Sequence, residues 1–288
     1  MDLIFKFNNI KETSVSFLHV FKGYYEWFKL NNPDVNVIVD DVSVLKHVYH
    51  GSNDSGYFLT ITNPETKKYI VVSYWDRVSD LKLDVCGWDF KNCVDIICSC
   101  GINDEIMYTP FTYIFNHKDL YTISDKIKIP FKDKENKELL FRGSLYGYRE
   151  ELQKVAPNNL TDSILLHEEY LHEISSRKIS LSLNGIAEIC HRDFEIMSTG
   201  SVLLRPELKV KFHNSLKPWT HYIPFDFDLN NSPEKQWEII QKRFNEVRYN
   251  DKLLNRISKN STKWFNQNGT INSNIELLKK LINIKKIL

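Results

Sequence analysis

The chain has 288 residues, a formal net charge of +1, and 42% hydrophobic and 13% aromatic residues. That length accommodates two α/β domains of ordinary size. So balanced a charge supplies no global field to recruit nucleic acid or an anionic membrane, and no window approaches the roughly 18 apolar residues of a membrane-spanning helix.

In chain order, residues 3–7 form a possible strand, and 13–30 place Phe17, Val20, Phe21, Tyr24 and Phe28 at helical spacing. Residues 35–39, 57–62, 69–74 and 94–98 follow as strands. Asn63-Pro64-Glu65-Thr66 separates the second and third of these, a spacing that suits a hairpin better than a parallel crossover. The charged, proline-bearing stretch 127–138 is the candidate hinge, and cleaner βα alternation runs from 139 to about 265. An amphipathic helix over 271–288 presents Ile275, Leu278, Leu281 and Ile282. The pattern predicts an α/β protein with some antiparallel pairing: residues 1–126 as one domain, 127–265 as a second, and 266–288 as a closing helix. The five cysteines (86, 93, 98, 100 and 190) are odd in number and lack a Cys-x-x-Cys pair, so they read as buried reduced thiols. The first twenty residues lack the layout of a secretory leader, which makes a cytoplasmic protein the expectation.

Two segments carry chemistry. In Leu139-Leu140-Phe141-Arg142-Gly143-Ser144 a short apolar strand ends in a turn, with Arg149 soon after. Gly143 permits close backbone approach, Ser144 can cap a helix or bond a phosphate oxygen, and arginine presents a planar, permanently charged fork to phosphate. Residues 178–224 read as strand, glycine turn at Gly185, basic helix, Gly200-Ser201, strand, then a loop ending Lys217-Pro218-Trp219-Thr220-His221-Tyr222-Ile223-Pro224. A helix opened by a glycine turn and carrying an arginine is one way an α/β domain holds a nucleoside diphosphate. Asp76 follows closely on the strand at 69–74.

Both segments, in this order, resemble glycosyltransferase family 90, the protein O-glucosyl- and O-xylosyltransferases and capsule-associated enzymes; the resemblance spans roughly residues 70–232 and suggests a viral, bacterial or protist member. It implies the GT-B architecture, two Rossmann-like domains facing across a cleft, with the closing helix crossing back to the first domain. It further implies inverting transfer of glucose or xylose from a UDP-sugar to a hydroxyl of a surface glycan or glycoprotein, with no nucleic-acid partner. On this match Asp76 is the catalytic base, although the family's Arg-Asp-Tyr is here Trp75-Asp76-Arg77. Arg142, Gly143, Ser144, Arg149, Lys178, Gly185, Glu207 and His221 match donor-binding positions. Counting back from Gly200-Ser201 assigns the helix arginine to Arg192; counting forward from Gly185 assigns it to His191. No divalent metal is required, because arginine charge and helix N-termini replace it. The alternatives are a catalytically idle sugar-nucleotide-binding module and a metal-dependent transferase using Asp226 and Asp228. His167 and His172 stand five apart and leave a common helix face, unlike a zinc helix. Walker and Gly-x-Gly-x-x-Gly loops are absent from the sequence.

Overall fold

A computed structural model describes residues 1–7, 16–41, 58–73, 92–98, 108–110, 120–185, 188–209 and 213–288. Asp76, Cys86 and Cys100 lie outside the described residues, as does the Phe17 side chain. The fold is mixed α/β, and its contacts divide it into two units. Unit 1 holds Met1–Lys118, Val210–Ser215 and Asn268–Leu288; unit 2 holds Asp119–Lys209 and Leu216–Gln267.

Unit 1 is built on a six-stranded sheet of β1 (Asp2–Phe7), β2 (Asn36–Asp41), β3 (Phe58–Thr62), β4 (Tyr69–Ser73), β5 (Cys93–Cys98) and β6 (Tyr108–Pro110), in the order β2-β1-β3-β4-β5-β6. β3 and β4 are the antiparallel hairpin, paired from Phe58 with Ser73 to Thr62 with Tyr69. Asn63 shapes the turn, its Oδ1 accepting from Glu65 N at 2.9 Å and Thr66 N at 3.1 Å. The pairs β1/β2, β4/β5 and β5/β6 are parallel. Along β1 the period-two pattern turns Leu3, Phe5 and Phe7 inward. They meet α1 (Ser16–Asn31), whose Val20, Phe21, Tyr24 and Phe28 are buried. The Phe5 ring lies 5.3 Å from Phe28 and 6.4 Å from Tyr24. The chain returns to this unit at its end: α8 (Ile271–Leu281) packs on α1, and the Ile287 carbonyl accepts from Asn63 Nδ2 and Thr66 Oγ1, each at 3.1 Å.

Unit 2 contains α2 (Leu120–Ile127), β7 (Phe141–Arg142), α3 (Tyr148–Val155), β8 (Leu160–Thr161), α4 (His167–Ser175), β9 (Ile179–Leu181), α5 (His191–Ser198), β10 (Val202–Pro206), β11 (Ile223–Phe225), α6 (Pro233–Val247) and almost all of α7 (Asp251–Asn268). All strand pairs are parallel, as a three-stranded sheet β11-β10-β9 and a two-stranded sheet β7-β8. Buried Leu181, Val202, Leu204, Ile223 and Phe225 from the larger sheet join Phe141 and Leu160 from the smaller, and Ile240 and Leu254 from α6 and α7, in one core. Among the described residues no helix is long and apolar enough to cross a membrane.

The stretch 127–138 packs within unit 2, anchored by a buried cation. Lys134 is 4% exposed, and its ammonium donates to the Ser175 carbonyl at the end of α4, to the Thr199 carbonyl at the end of α5 (3.1 Å) and to Ser201 Oγ (3.4 Å). Two helix C-termini thus turn their unsatisfied, partially negative carbonyls on one charge. Burial, then the nearby Lys128, lowers the Lys134 pKa to about 7. Between that value and the ordinary lysine value of about 10.4 the unfolded chain binds the proton more tightly, so raising the pH favours the folded state. Urea midpoints should therefore climb from pH 7 to 10 and flatten below pH 7. In Lys134→Met that climb should be shallower, and an unchanged slope would remove Lys134 as its source.

Candidate active site

The candidate site forms where β7 and β8 end. After buried Phe141, Arg142 begins the turn, and its guanidinium grips Glu173 of α4 with two bonds, Nε to Oε2 at 2.8 Å and Nη2 to Oε1 at 3.0 Å. Its Nη1 donates to the Ser163 carbonyl at 2.9 Å and to Ser163 Oγ. Hydrogen bonding to Glu173 raises the Arg142 pKa, so the group stays charged.

Arg192, in the first turn of α5, reaches back to this turn. Its guanidinium lies 4.0 Å from the Phe141 ring centroid, Nη2 donates to the Arg142 carbonyl, and Nε donates to Tyr170 Oη at 3.2 Å. Gly143 makes that approach possible. It sits at φ +154°, where side chains are rarely tolerated, and a Cβ there would land on the Arg192 guanidinium.

Arg142, Gly143, Ser144 and Arg192 line a cavity of about 560 Å³ together with Asp162, Ser163, His167, Tyr170 and Glu195. That volume falls within the roughly 300–1,000 Å³ of small-molecule sites. His167 Nε2 and Glu195 Oε1 are 3.2 Å apart. Burial alone would raise the Glu195 carboxyl, but the His167 hydrogen bond and the charges of His191 and Arg192 outweigh it and hold the pKa below the usual value. His191, the first residue of α5, does not line the cavity.

The start of α5 is fixed by a buried ion pair. Asp193 accepts from the Cys190 backbone N–H at 2.8 Å and from Arg205 Nη1 of β10. Arg205, 1% exposed, also donates to Asn184 Oδ1 at 3.0 Å and to the Glu188 carbonyl at 2.6 Å, binding both ends of the loop between β9 and α5.

The other expected donor residues lie elsewhere in unit 2. Arg149 is 5% exposed, and its fork is spent on main chain: Leu183 O at 2.8 Å, Asn184 O at 2.7 Å and Ser144 O at 3.0 Å. It ties the β7 turn to the segment after β9. Gly185 packs against it, since a Cβ there would lie 3.4 Å from Arg149 Nη2 and 3.1 Å from Tyr146 Oη. Lys178 precedes β9 and bonds Asp251 at 2.7 Å, which places it at the amino edge of the sheet. His221 falls on the same edge, because register pairs Leu204 with Ile223 and so levels residue 221 with the first residue of β10. Its Nδ1 accepts from Lys217 N at 2.8 Å, and burial, then Lys217, lowers its pKa. Glu207 is exposed just past the carboxyl end of β10. Asp228 Oδ1 closes a local turn with Asn230 N at 2.9 Å, and among the described residues no cluster of three or more His, Cys, Asp or Glu side chains could hold a metal. Glu173, His167, Tyr170 and Glu195 were not anticipated. The one available signal was the three-residue step from Arg192 to Glu195, which puts both on one helix face.

The fold is shared with solved glycosyltransferases. An alpha-glucosyltransferase in complex with UDP-glucose and DNA containing an abasic site matches with a TM-score of 0.53 over 98% of this chain and 99% of that one, at 9% identity. An alpha-glucosyltransferase with UDP and a 13-mer DNA containing an HMU base gives 0.54 over 96% and 98%, at 10% identity. An alpha-glucosyltransferase in complex with UDP gives 0.51 over the same shares, also at 10%. No family model and no curated protein matches the sequence.

Gly143→Ala should destabilise the protein by about 1–3 kcal/mol through backbone strain and displacement of Arg192. Part of the loss is the collision with Arg192, so the penalty should shrink in an Arg192→Ala background. Urea unfolding of the four proteins in this cycle measures it; strict additivity would mean that the two residues do not meet.

Proposed function

We propose that this protein is a UDP-sugar-dependent glycosyltransferase of GT-B architecture, related to glycosyltransferase family 90, that moves glucose or xylose to an acceptor hydroxyl with inversion. The observation that carries this reading is the cavity at the carboxyl ends of β7 and β8, where Arg142, Ser144 and Arg192 meet the start of α5. Open α/β sheets bind ligands beyond the carboxyl ends of their strands, and a helix N-terminus favours phosphate. The shared fold with glucosyltransferases solved with UDP or UDP-glucose supports the same donor.

In this mechanism Arg192 and the α5 amides hold the diphosphate while Arg142, braced by Glu173, supplies charge at the cavity wall. The acceptor oxygen attacks the anomeric carbon as the bond to the β-phosphate oxygen breaks. The departing UDP takes the electron pair, and Asp76 takes the acceptor proton. No metal is required, because the arginines and helix dipole offset the developing charge. The proposed donor role rests on the carboxyl-edge residues; Lys178 and His221 stand on the amino edge, where Lys178 bonds Asp251 and His221 accepts from Lys217 N. The acceptor is a surface glycan or glycoprotein hydroxyl in the cytoplasm. A nucleic-acid hydroxyl is the second reading, favoured by fold neighbours that carry DNA and match along 96–98% of this chain.

Thermal shift with UDP, GDP, CMP, UDP-glucose, UDP-xylose and UDP-galactose, each with and without EDTA, tests the donor. A ligand at a hundred times its Kd adds about 2.7 kcal/mol, which raises Tm by about 2–4 °C per kcal/mol in a chain of this size. A uridine-specific, EDTA-insensitive shift that Arg192→Ala abolishes is expected. The absence of any nucleotide shift would end the transferase reading, and an EDTA-sensitive one would turn attention to Asp226 and Asp228. Asp76→Asn should keep the shift and lose transfer by orders of magnitude; an unchanged rate would exclude Asp76 as base. The anomeric configuration of the product, read by NMR, should be opposite to that of the donor, and a retained configuration would overturn inversion.

A further inference from the structure

A second cavity in unit 2, of about 760 Å³, is lined by Lys128 and Lys132 from the stretch after α2 and by Lys259 and Lys263 from α7. Its lining includes no aspartate or glutamate. Four other lysines of this unit are paired with carboxylates: Lys137 with Glu135, Lys154 with Glu151, Lys178 with Asp251 and Lys235 with Glu238. Among the described residues none of the four cavity lysines makes an ion pair. Burial lowers the Lys128 pKa, and the charge of Asp125, which does not line the cavity, opposes that shift. Behind the lysines the groove is rigidly built. Ser258 Oγ bonds the Gly200 carbonyl at 2.6 Å and Thr262 Oγ1 the Met197 carbonyl at 3.1 Å, fixing α7 against the end of α5.

From this groove we infer a binding site for single-stranded nucleic acid, separate from the cavity assigned to the sugar nucleotide. Lys259 and Lys263 stand one helical turn apart on α7, a rise of about 6 Å, close to the step between neighbouring phosphates of one strand. Lys128 and Lys132 line the same space from another segment. Asn255 and Asn266 add neutral donors and acceptors, and Pro130 and Phe131 add apolar surface for bases. The net charge of +1 is no obstacle, because phosphate contacts depend on local cations.

The test is fluorescence anisotropy of the full chain with a labelled twenty-nucleotide oligo-dT between 50 and 300 mM KCl. Lys259→Gln/Lys263→Gln is compared with a charge-matched control, Lys235→Gln/Lys242→Gln on α6. The groove variant should bind at least tenfold more weakly at 50 mM salt, and its salt slope should fall by about 1.4, about 0.7 for each phosphate no longer neutralised. The control should bind like the wild type, and both should melt at the wild-type temperature. If the groove variant melts lower, Lys128→Gln/Lys132→Gln repeats the comparison from the facing segment. The inference is overturned if the wild type does not bind, if the control loses as much as the groove variant, or if the groove variant keeps its affinity. It is equally overturned if phosphatidylserine vesicles or poly-glutamate bind while oligo-dT does not. Because the readout is oligonucleotide binding, its failure leaves the UDP thermal shift untouched.

Discussion

The buried pair of Arg205 and Asp193 is the constraint on which the candidate site depends. An ion pair fully removed from water is costly unless its remaining donors and acceptors are met. Here Arg205 adds Asn184 Oδ1 and the Glu188 and Pro206 carbonyls, and Asp193 Oδ2 takes the Cys190 backbone N–H at the positive end of the α5 dipole, while Asp193 Oδ1 is buried without a hydrogen-bond partner. The pair therefore does more than join β10 to α5. It sets where the loop after β9 begins and ends, and Arg192, the neighbour of Asp193, inherits its position from that arrangement.

Phe141 shows how one apolar side chain can serve two cations of different kinds. The Arg149 guanidinium lies 5.0 Å from its centroid and Arg192 4.0 Å. The first is buried and satisfied by carbonyls, so it acts as a rivet between the β7 turn and the loop after β9. The second lies at a cavity wall, with Gly143 beneath it. Sequence motifs do not distinguish such arginines, because both are an Arg near a Gly; burial and hydrogen-bond partners do.

This explains what the sequence made legible and what it did not. The amphipathic pattern of α1, the alternation in β1 and the turn residues of the β3–β4 hairpin each encode their own structure locally. The two-residue strands β7 and β8 have no periodicity to read, yet they position the cavity. Arg142, Gly143, Ser144 and Arg192 could be picked out because they belong to short linear patterns. Glu173, His167 and Tyr170 arrive from α4 by tertiary packing, and nothing in their neighbourhood marks them as partners of those patterns. Lys178 and His221 entered through a resemblance that carries order along the chain but not which edge of a parallel sheet a residue occupies. Arg205 did leave a trace, as the lone charge inside the apolar run Val202-Leu203-Leu204-Arg205-Pro206. A charge there must be either exposed on an edge or buried with a partner, and the chain uses the second solution.

The return of residues 268–288 to unit 1 has a consequence for how the molecule is made. Its first sheet and α1 are synthesised early, but α8 and the Ile287 carbonyl that complete their packing come only after all of unit 2. Unit 2 has only residues 210–215 to bypass and can close on its own contacts as it emerges from the ribosome. Until α8 is made, the α1 surface that it covers stays open, and that is the period in which chaperone capture or misassociation would be most frequent.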